Sequence, residues 1–360
     1  MKKYLLSIAA LLLGLLAHSQ EADDLGNYAE VSVITRLDLN PVFSKDATEF
    51  TLGNSSLYTL FEGSASDHFS WTLANHWFSG NTFLGEEADP WAFFNALGKS
   101  YETNFIDLAY VDLTFGNWTF NLGKNCIATG GHEYDDYDWM VHTGLASPLW
   151  SCLACYQWGG KVTYTTPSEM SNFSLQMTTS PFGEKPFSSG LWTWSAQWGG
   201  EYGWYAPLWS VSLFQGTSPG DPSPKAPVKQ NNWLISLGNQ FLFNDWTITL
   251  DWSNCVDMSD YQFVKGWTLH GVVNYAISDK FDVSLRGNWV VPAADATFQT
   301  ADQIIPYDIE PWWNIGAICE FYPLRDSRDL RLHAIAQYDK LQSAFAFNIG
   351  ILYNLNIKLW

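Results

Sequence analysis

From Phe345 to Leu359 every second residue is apolar: Phe345, Phe347, Ile349, Ile351, Tyr353, Leu355, Ile357 and Leu359. The alternate positions carry Asn348, Gly350, Asn354, Asn356 and Lys358, with Leu352 the exception. A period of two puts the two sets on opposite faces of a β-strand. Strands of soluble proteins average about 5–6 residues, and this run is far longer. A strand this long with one wholly apolar face suits a wall that separates lipid from water.

The alternation recurs upstream. Leu330, Leu332, Ala334, Ala336 and Tyr338 oppose Arg331, His333, Gln337 and Asp339. Phe281, Val283, Leu285 and Trp289 oppose Asp282, Ser284, Arg286 and Asn288. Sixteen such segments are predicted, near 27–40, 55–64, 68–78, 104–115, 118–126, 155–166, 172–180, 190–199, 204–216, 232–243, 246–255, 265–277, 281–291, 312–322, 329–339 and 344–359. Short gaps such as Gly116-Asn117, Asn244-Asp245 and Ser278-Asp279-Lys280 are tight-turn sequences. They fall after even-numbered strands, whereas long gaps (79–103, 127–154, 217–231 and 292–311) fall after odd ones. Residues 90–101 have the composition of a short helix. Short periplasmic turns, long outer loops and an even strand count define an all-β transmembrane antiparallel barrel of about sixteen strands (14–18). Such a barrel is wide enough for an aqueous channel.

Composition supports the same reading. Twenty Trp, 17 Tyr and 23 Phe make 17% of the chain aromatic, while charged residues are only 15%. A soluble core cannot easily hide so many rings, but a barrel places them in belts at both membrane interfaces. Lys2 and Lys3, the apolar run Tyr4–Leu16 and Ala17-His18-Ser19 read as a signal peptide, 1–19, with residues 20–360 as a single barrel domain. The formal net charge is −19, and removal of Lys2 and Lys3 takes it to −21. A surface of that sign repels nucleic acid. Outer-membrane lipid and lipopolysaccharide are the expected surroundings. A terminal strand that ends Tyr353, Leu355, Ile357, Leu359 and Trp360 resembles the C-terminal signal read by barrel-assembly machinery.

The longest connection, 127–154, is the third on the outer side. It carries His132, Glu133, Tyr134, Asp135, Asp136, Tyr137 and Asp138, the candidate constriction. Four carboxylates here would favour cations or neutral polar solutes over anions, and Tyr134, Tyr137 and Trp139 offer flat faces for sugar rings. Candidate lumen-facing charges are Arg36, Asp38, Asp107, Lys161, Asp251, Asp282, Arg286, Glu320, Arg331 and Lys358. Cys152 and Cys155 have the CxxC spacing and are a candidate local disulfide. No zinc pattern accompanies them.

The stretch Leu113-Thr114-Phe115-Gly116-Asn117-Trp118-Thr119-Phe120-Asn121-Leu122-Gly123-Lys124 and its Gly-rich acidic loop resemble Bacteroidota porins of the phosphate-selective O/P type. The hairpin Phe321-Tyr322-Pro323-Leu324-Arg325-Asp326-Ser327-Arg328-Asp329-Leu330-Arg331-Leu332-His333 is similar to theirs too. The resemblance implies a Gram-negative outer-membrane porin, with a homotrimer as the family's common assembly. It also implies a pore lined by Arg and Lys, from which this chain departs: the third loop has neither. The expectation is therefore passive diffusion of small hydrophilic solutes or ions, without phosphate selectivity and without a cofactor. The alternative is a plugged barrel serving as scaffold or interaction partner. No HExxH helix or P-loop marks an enzyme.

Overall fold

The computed structural model describes residues 27–45, 48–52, 55–79, 106–136, 140, 142–183, 187–217, 229–258, 263–299 and 304–359. The expected signal segment, the 90–101 helix, Tyr137, Asp138, Trp139 and Trp360 lie outside them. Sixteen staves form the barrel: β1 (Tyr28–Phe43), β2 (Thr48–Thr51 and Ser56–Ser66), β3 (Phe69–Ser79), β4 (Ile106–Phe115), β5 (Trp118–Cys126), β6 (Tyr156–Thr165), β7 (Ser171–Thr179), β8 (Trp192–Gly200), β9 (Tyr205–Thr217), β10 (Lys229–Phe243), β11 (Trp246–Asp257), β12 (Val264–Ser278), β13 (Phe281–Pro292), β14 (Trp312–Phe321), β15 (Leu330–Asp339) and β16 (Ala344–Lys358). Each pairs antiparallel with its neighbours in sequence. β16 returns to β1, from Glu30 opposite Lys358 to Phe43 opposite Phe345, and closes the wall. Closure leaves neither the first nor the last strand as a free sheet edge.

The second stave is interrupted. Its first piece pairs with Asn40–Phe43 and its second with Tyr28–Arg36. At the break the Asp38 amide donates to the Ser55 hydroxyl at 3.0 Å, replacing a ladder bond. β10 begins at Lys229, so the loop before it is shorter than the sequence pattern suggests. A two-stranded ribbon, Thr297–Gln299 with Ile304–Pro306, lies within the β13–β14 loop.

The burial pattern is inverted relative to a soluble protein. On β16, Phe345, Phe347, Ile349, Ile351, Tyr353, Leu355, Ile357 and Leu359 are all exposed, while Ala344, Asn348 and Leu352 are buried. On β13, Leu285 and Trp289 are exposed, and Asp282, Arg286 and Asn288 are buried. The exposed apolar side of a closed barrel is the side that suits lipid. The buried side carries Ser32, Thr193, Ser195, Ser212, Ser236 and Thr249, and small hydroxyls of that kind suit a wet interior.

Most turns after even-numbered strands are short, as at Gly116-Asn117, where Gly116 has φ +56°, although the one after β14 runs from 322 to 329. Two-residue hairpins favour this left-handed geometry because it matches the twist of the strands. The opposite end holds the long loops, but it also holds two short hairpins, 44–47 and 340–343. Loop length alone therefore sorts the two ends only in part.

Candidate functional site

The β5–β6 connection, residues 127–155, crosses the inside of the barrel. It leaves β5 through Ile127, Ala128, Thr129, Gly130 and Gly131, all buried. The Ala128 amide donates to Gln176 of β7 at 2.6 Å. Gly131 packs so closely on Asp251 of β11 that an added Cβ would lie 2.3 Å from the Asp251 carboxyl carbon. The 3-10 turn His132–Asp135 follows. Ile127, Tyr134, Leu149 and Leu153 of the loop cluster with Phe182, Phe214, Leu234, Cys255 and Met258. Each buried side chain of this size contributes about 1.5–3 kcal/mol, so the loop has a small apolar core of its own.

Two polar anchors fasten the loop to the far wall. Glu133 is 6% exposed. Its carboxylate pairs with Arg286 of β13, accepts the Ser147 amide at 3.0 Å, and lies 3.5 Å from His270 of β12. The Glu133 amide donates to Asp251 at 2.8 Å. Burial alone would raise the Glu133 pKa. The charges of His270 and Arg286, with hydrogen bonds from Ser147 and Arg286, outweigh burial and hold it below its ordinary value. Beside this anchor, Asn288 of β13 donates to the carbonyls of Leu145 and Ala146 at 3.0 and 3.1 Å.

His142 makes the second anchor. Arg36 of β1 donates to its Nδ1 at 3.0 Å, and its Nε2 lies 3.5 Å from Glu320 of β14. A ring that accepts from arginine at one nitrogen is neutral and carries its proton on the other. Burial lowers the His142 pKa, the hydrogen bond to Glu320 opposes this, and Arg36 and Arg331 push the same way as burial, to about 3. Around it Arg36 pairs with Asp38 at 2.9 Å, Arg331 with Glu320 at 3.0 Å, and His333 lies 3.1 Å from Asp38.

Beside the loop, against the β3–β6 wall, a chamber of about 340 Å³ remains. His76, Asp107 and Lys124 line its wall side, and Tyr134, Asp136 and Trp150 its loop side. His76 and Asp107 pair at 2.8 Å. Asp135 and Asp136 are open to water. Asp136 nevertheless has protein on most sides. Desolvation, opposed by Arg286 and reinforced by Glu133, Asp135 and Asp251, pushes its pKa up to about 6.

Asp38, Asp107, Asp251, Asp282, Arg36, Arg286 and Arg331 are all buried, Lys161 and Glu320 are half-buried, and Lys358 is exposed at the strand end. Lys358 shares the parity of inward Asn348, but β16 has run past the enclosed part of the lumen. Asp282 pairs at 2.8 Å with Arg328 of the 322–329 turn. His132 bonds the Ala206 carbonyl at 2.9 Å. Cys152 and Cys155 are separate free thiols, which corrects the disulfide expectation. Cys152 closes the short helix Pro148–Cys152, whereas Cys155 lies in the lead to β6, and both pack against the loop's apolar core. CxxC spacing does not by itself bring two sulfurs into bonding geometry.

Lys124 escapes a reading by alternation. Lys124 has the parity of the exposed Phe120 and Leu122, yet it is buried. The intervening Gly123 adopts φ +141°, and this backbone twist re-aims the lysine. A glycine inside a strand pattern is the available signal. Among the described residues no group of three or more His, Cys, Asp or Glu is placed to hold a metal ion.

A closed sixteen-strand barrel with a long loop across its lumen defines the architecture of an outer-membrane porin. No protein-family model and no curated protein sequence matches the chain. Solved structures do. The chain is similar to OmpF of Salmonella typhi in complex with daunomycin (11% identity, 92% of this chain and 98% of that one, TM-score 0.59). It is similar to a mutant of the porin of Rh. blastica (15% identity, 91% and 100%, TM-score 0.56). It is also similar to the outer membrane channel DcaP of Acinetobacter baumannii (11% identity, 92% and 98%, TM-score 0.55). At these identities the likeness is one of fold.

Proposed function

We propose that the chain is a passive channel of a Gram-negative outer membrane, admitting small hydrophilic solutes through the gap between loop 127–155 and the β3–β6 wall. The observation that carries this is the anchored loop with a chamber beside it, lined by Asp136 and with the exposed Asp135 next to it in sequence. The two carboxylates make the passage tolerant of cations and neutral solutes. Glu133, sequestered by Arg286, contributes to the loop's position and not to the filter. Phosphate selectivity does not fit, since among the described residues lining the chamber Lys124 is the single lysine or arginine. A transport role leaves no reaction for the chain to catalyse. Export through the 1–19 segment, insertion through the last strand by assembly machinery, and a homotrimer complete this reading.

The test is single-channel conductance in a planar bilayer with a salt gradient. Steady conductance with cation preference is expected, reduced when Asp135 and Asp136 are replaced by Asn. Anion preference would overturn the charge argument. A folded but silent barrel would favour a plugged scaffold, a reading that the two anchors and the loop's own core also suit.

A further inference from the structure

The outward face of the barrel carries a second hollow, at the loop end, where the wall splits. β10 and β11 pair only as far as Ser236 opposite Ser253. Beyond that point β11 shifts register twice against β12, at Ser253/Cys255 and at Cys255/Asp257. The β10 backbone from Lys229 to Ile235 therefore has no ladder partner on its β11 side among the described residues. Asn254 bridges the fork, donating to the Trp233 carbonyl at 3.1 Å and accepting the Ile235 amide at 2.9 Å. The result is a groove of about 550 Å³ that opens toward the surroundings of the barrel.

Its lining has four chemistries. Trp233 (57% exposed) and Trp267 (37% exposed) stand on either side as indole walls. Val291 and Pro292 add an apolar surface. Asn231 and Asn232 supply amides, and Lys265, which is exposed, carries the one charge among the lining residues. Indoles are placed where one end of a ligand is apolar and the other wet. A lysine on a chain of net charge −19 is a specific anion point, because the surrounding field disfavours anions elsewhere. Amides that both donate and accept suit sugar hydroxyls.

We infer that this groove binds a phosphorylated glycolipid of the outer leaflet. The phosphate meets Lys265, the sugar meets Asn231 and Asn232, and the acyl chain lies along Trp233 and Trp267. The inference rests on the outer-membrane reading above and adds a specific lipid site to it.

The experiment is native mass spectrometry of the refolded full chain in detergent, titrated with lipid A, dephosphorylated lipid A or phosphatidylglycerol. Folding is verified by the mobility difference between boiled and unboiled samples. A one-to-one lipid A adduct is expected. It should weaken at least tenfold in Lys265→Glu, in Trp233→Ala and with the dephosphorylated lipid. Equal binding by wild type and Lys265→Glu would overturn the site. So would equal binding of phosphatidylglycerol, or masses showing a second copy of the chain held through Trp233 and Trp267 in place of lipid. Wild-type protein that conducts ions but takes up no lipid A would remove the groove proposal and leave the channel reading standing.

Discussion

Replacing Glu133 by alanine should release the loop from the lumen wall. Among the described residues, the carboxylate is the one negative group in a direct ion pair with Arg286, and both side chains are under 10% exposed. Glu133 also accepts the Ser147 amide at 3.0 and 3.2 Å, which sets the start of the helix Pro148–Cys152. Removing one partner of a buried pair costs about 3–5 kcal/mol, because the other charge is left uncompensated. At 1.4 kcal/mol per factor of ten, that raises the population of the released loop by roughly one hundred-fold to a few thousand-fold. The barrel's own ladder is untouched, so the boiled and unboiled samples should still migrate differently. The readouts are protease cleavage between residues 127 and 155 and single-channel current, which should become larger or noisier. A double variant, Glu133→Leu with Arg286→Met, distinguishes charge from shape. Two apolar groups in place of a buried ion pair are often neutral, so its loop should stay protected. Wild-type cleavage rates and currents in Glu133→Ala would refute the anchor. Equal exposure in single and double variants would assign the hold to side-chain shape.

Three further outcomes follow from the same geometry. As pH falls through about 6, the value to which desolvation raises Asp136, its charge is lost and cation preference in reversal-potential measurements should decline; Asp136→Asn should abolish that step. His142 has a folded-state pKa lowered to about 3 from an ordinary 6.5, so its contribution to stability is present above 6.5 and is lost as pH falls from there toward 3. Each pH unit in that window costs about 1.4 kcal/mol, and protease access to the loop should rise with acid in wild type but stay flat in His142→Gln. Ile349, 64% exposed on the lipid-facing side of β16, should tolerate leucine, whereas lysine there should cost about 2–4 kcal/mol, read as a lower temperature for loss of the fast-migrating band.

Much of this molecule is legible along the chain, because strand alternation is a local property. Phe345 to Leu359 declare their face without reference to any other strand. Sixteen such stretches and the tight turns between them suffice for a closed even barrel. The length and acidity of 127–154 likewise mark it as the loop to watch. What alternation misses is where backbone irregularity changes the rule. Gly123 turns Lys124 inward against its parity, and the register shifts of β11 open a groove that no period reveals.

The acidic loop shows the deeper division. In sequence Glu133, Asp135 and Asp136 are equivalent members of one charged run. Folding separates them, since Glu133 meets Arg286, 153 residues away in the chain, while Asp135 stays in water and Asp136 lines the chamber. His142 similarly finds Arg36, 106 residues away. Strand identity is set by neighbours two residues apart, and so the sequence by itself determined the barrel. Which carboxylate anchors and which one faces the passage depends on contacts across the lumen, and those exist only once the wall has closed and the loop has lain down on it.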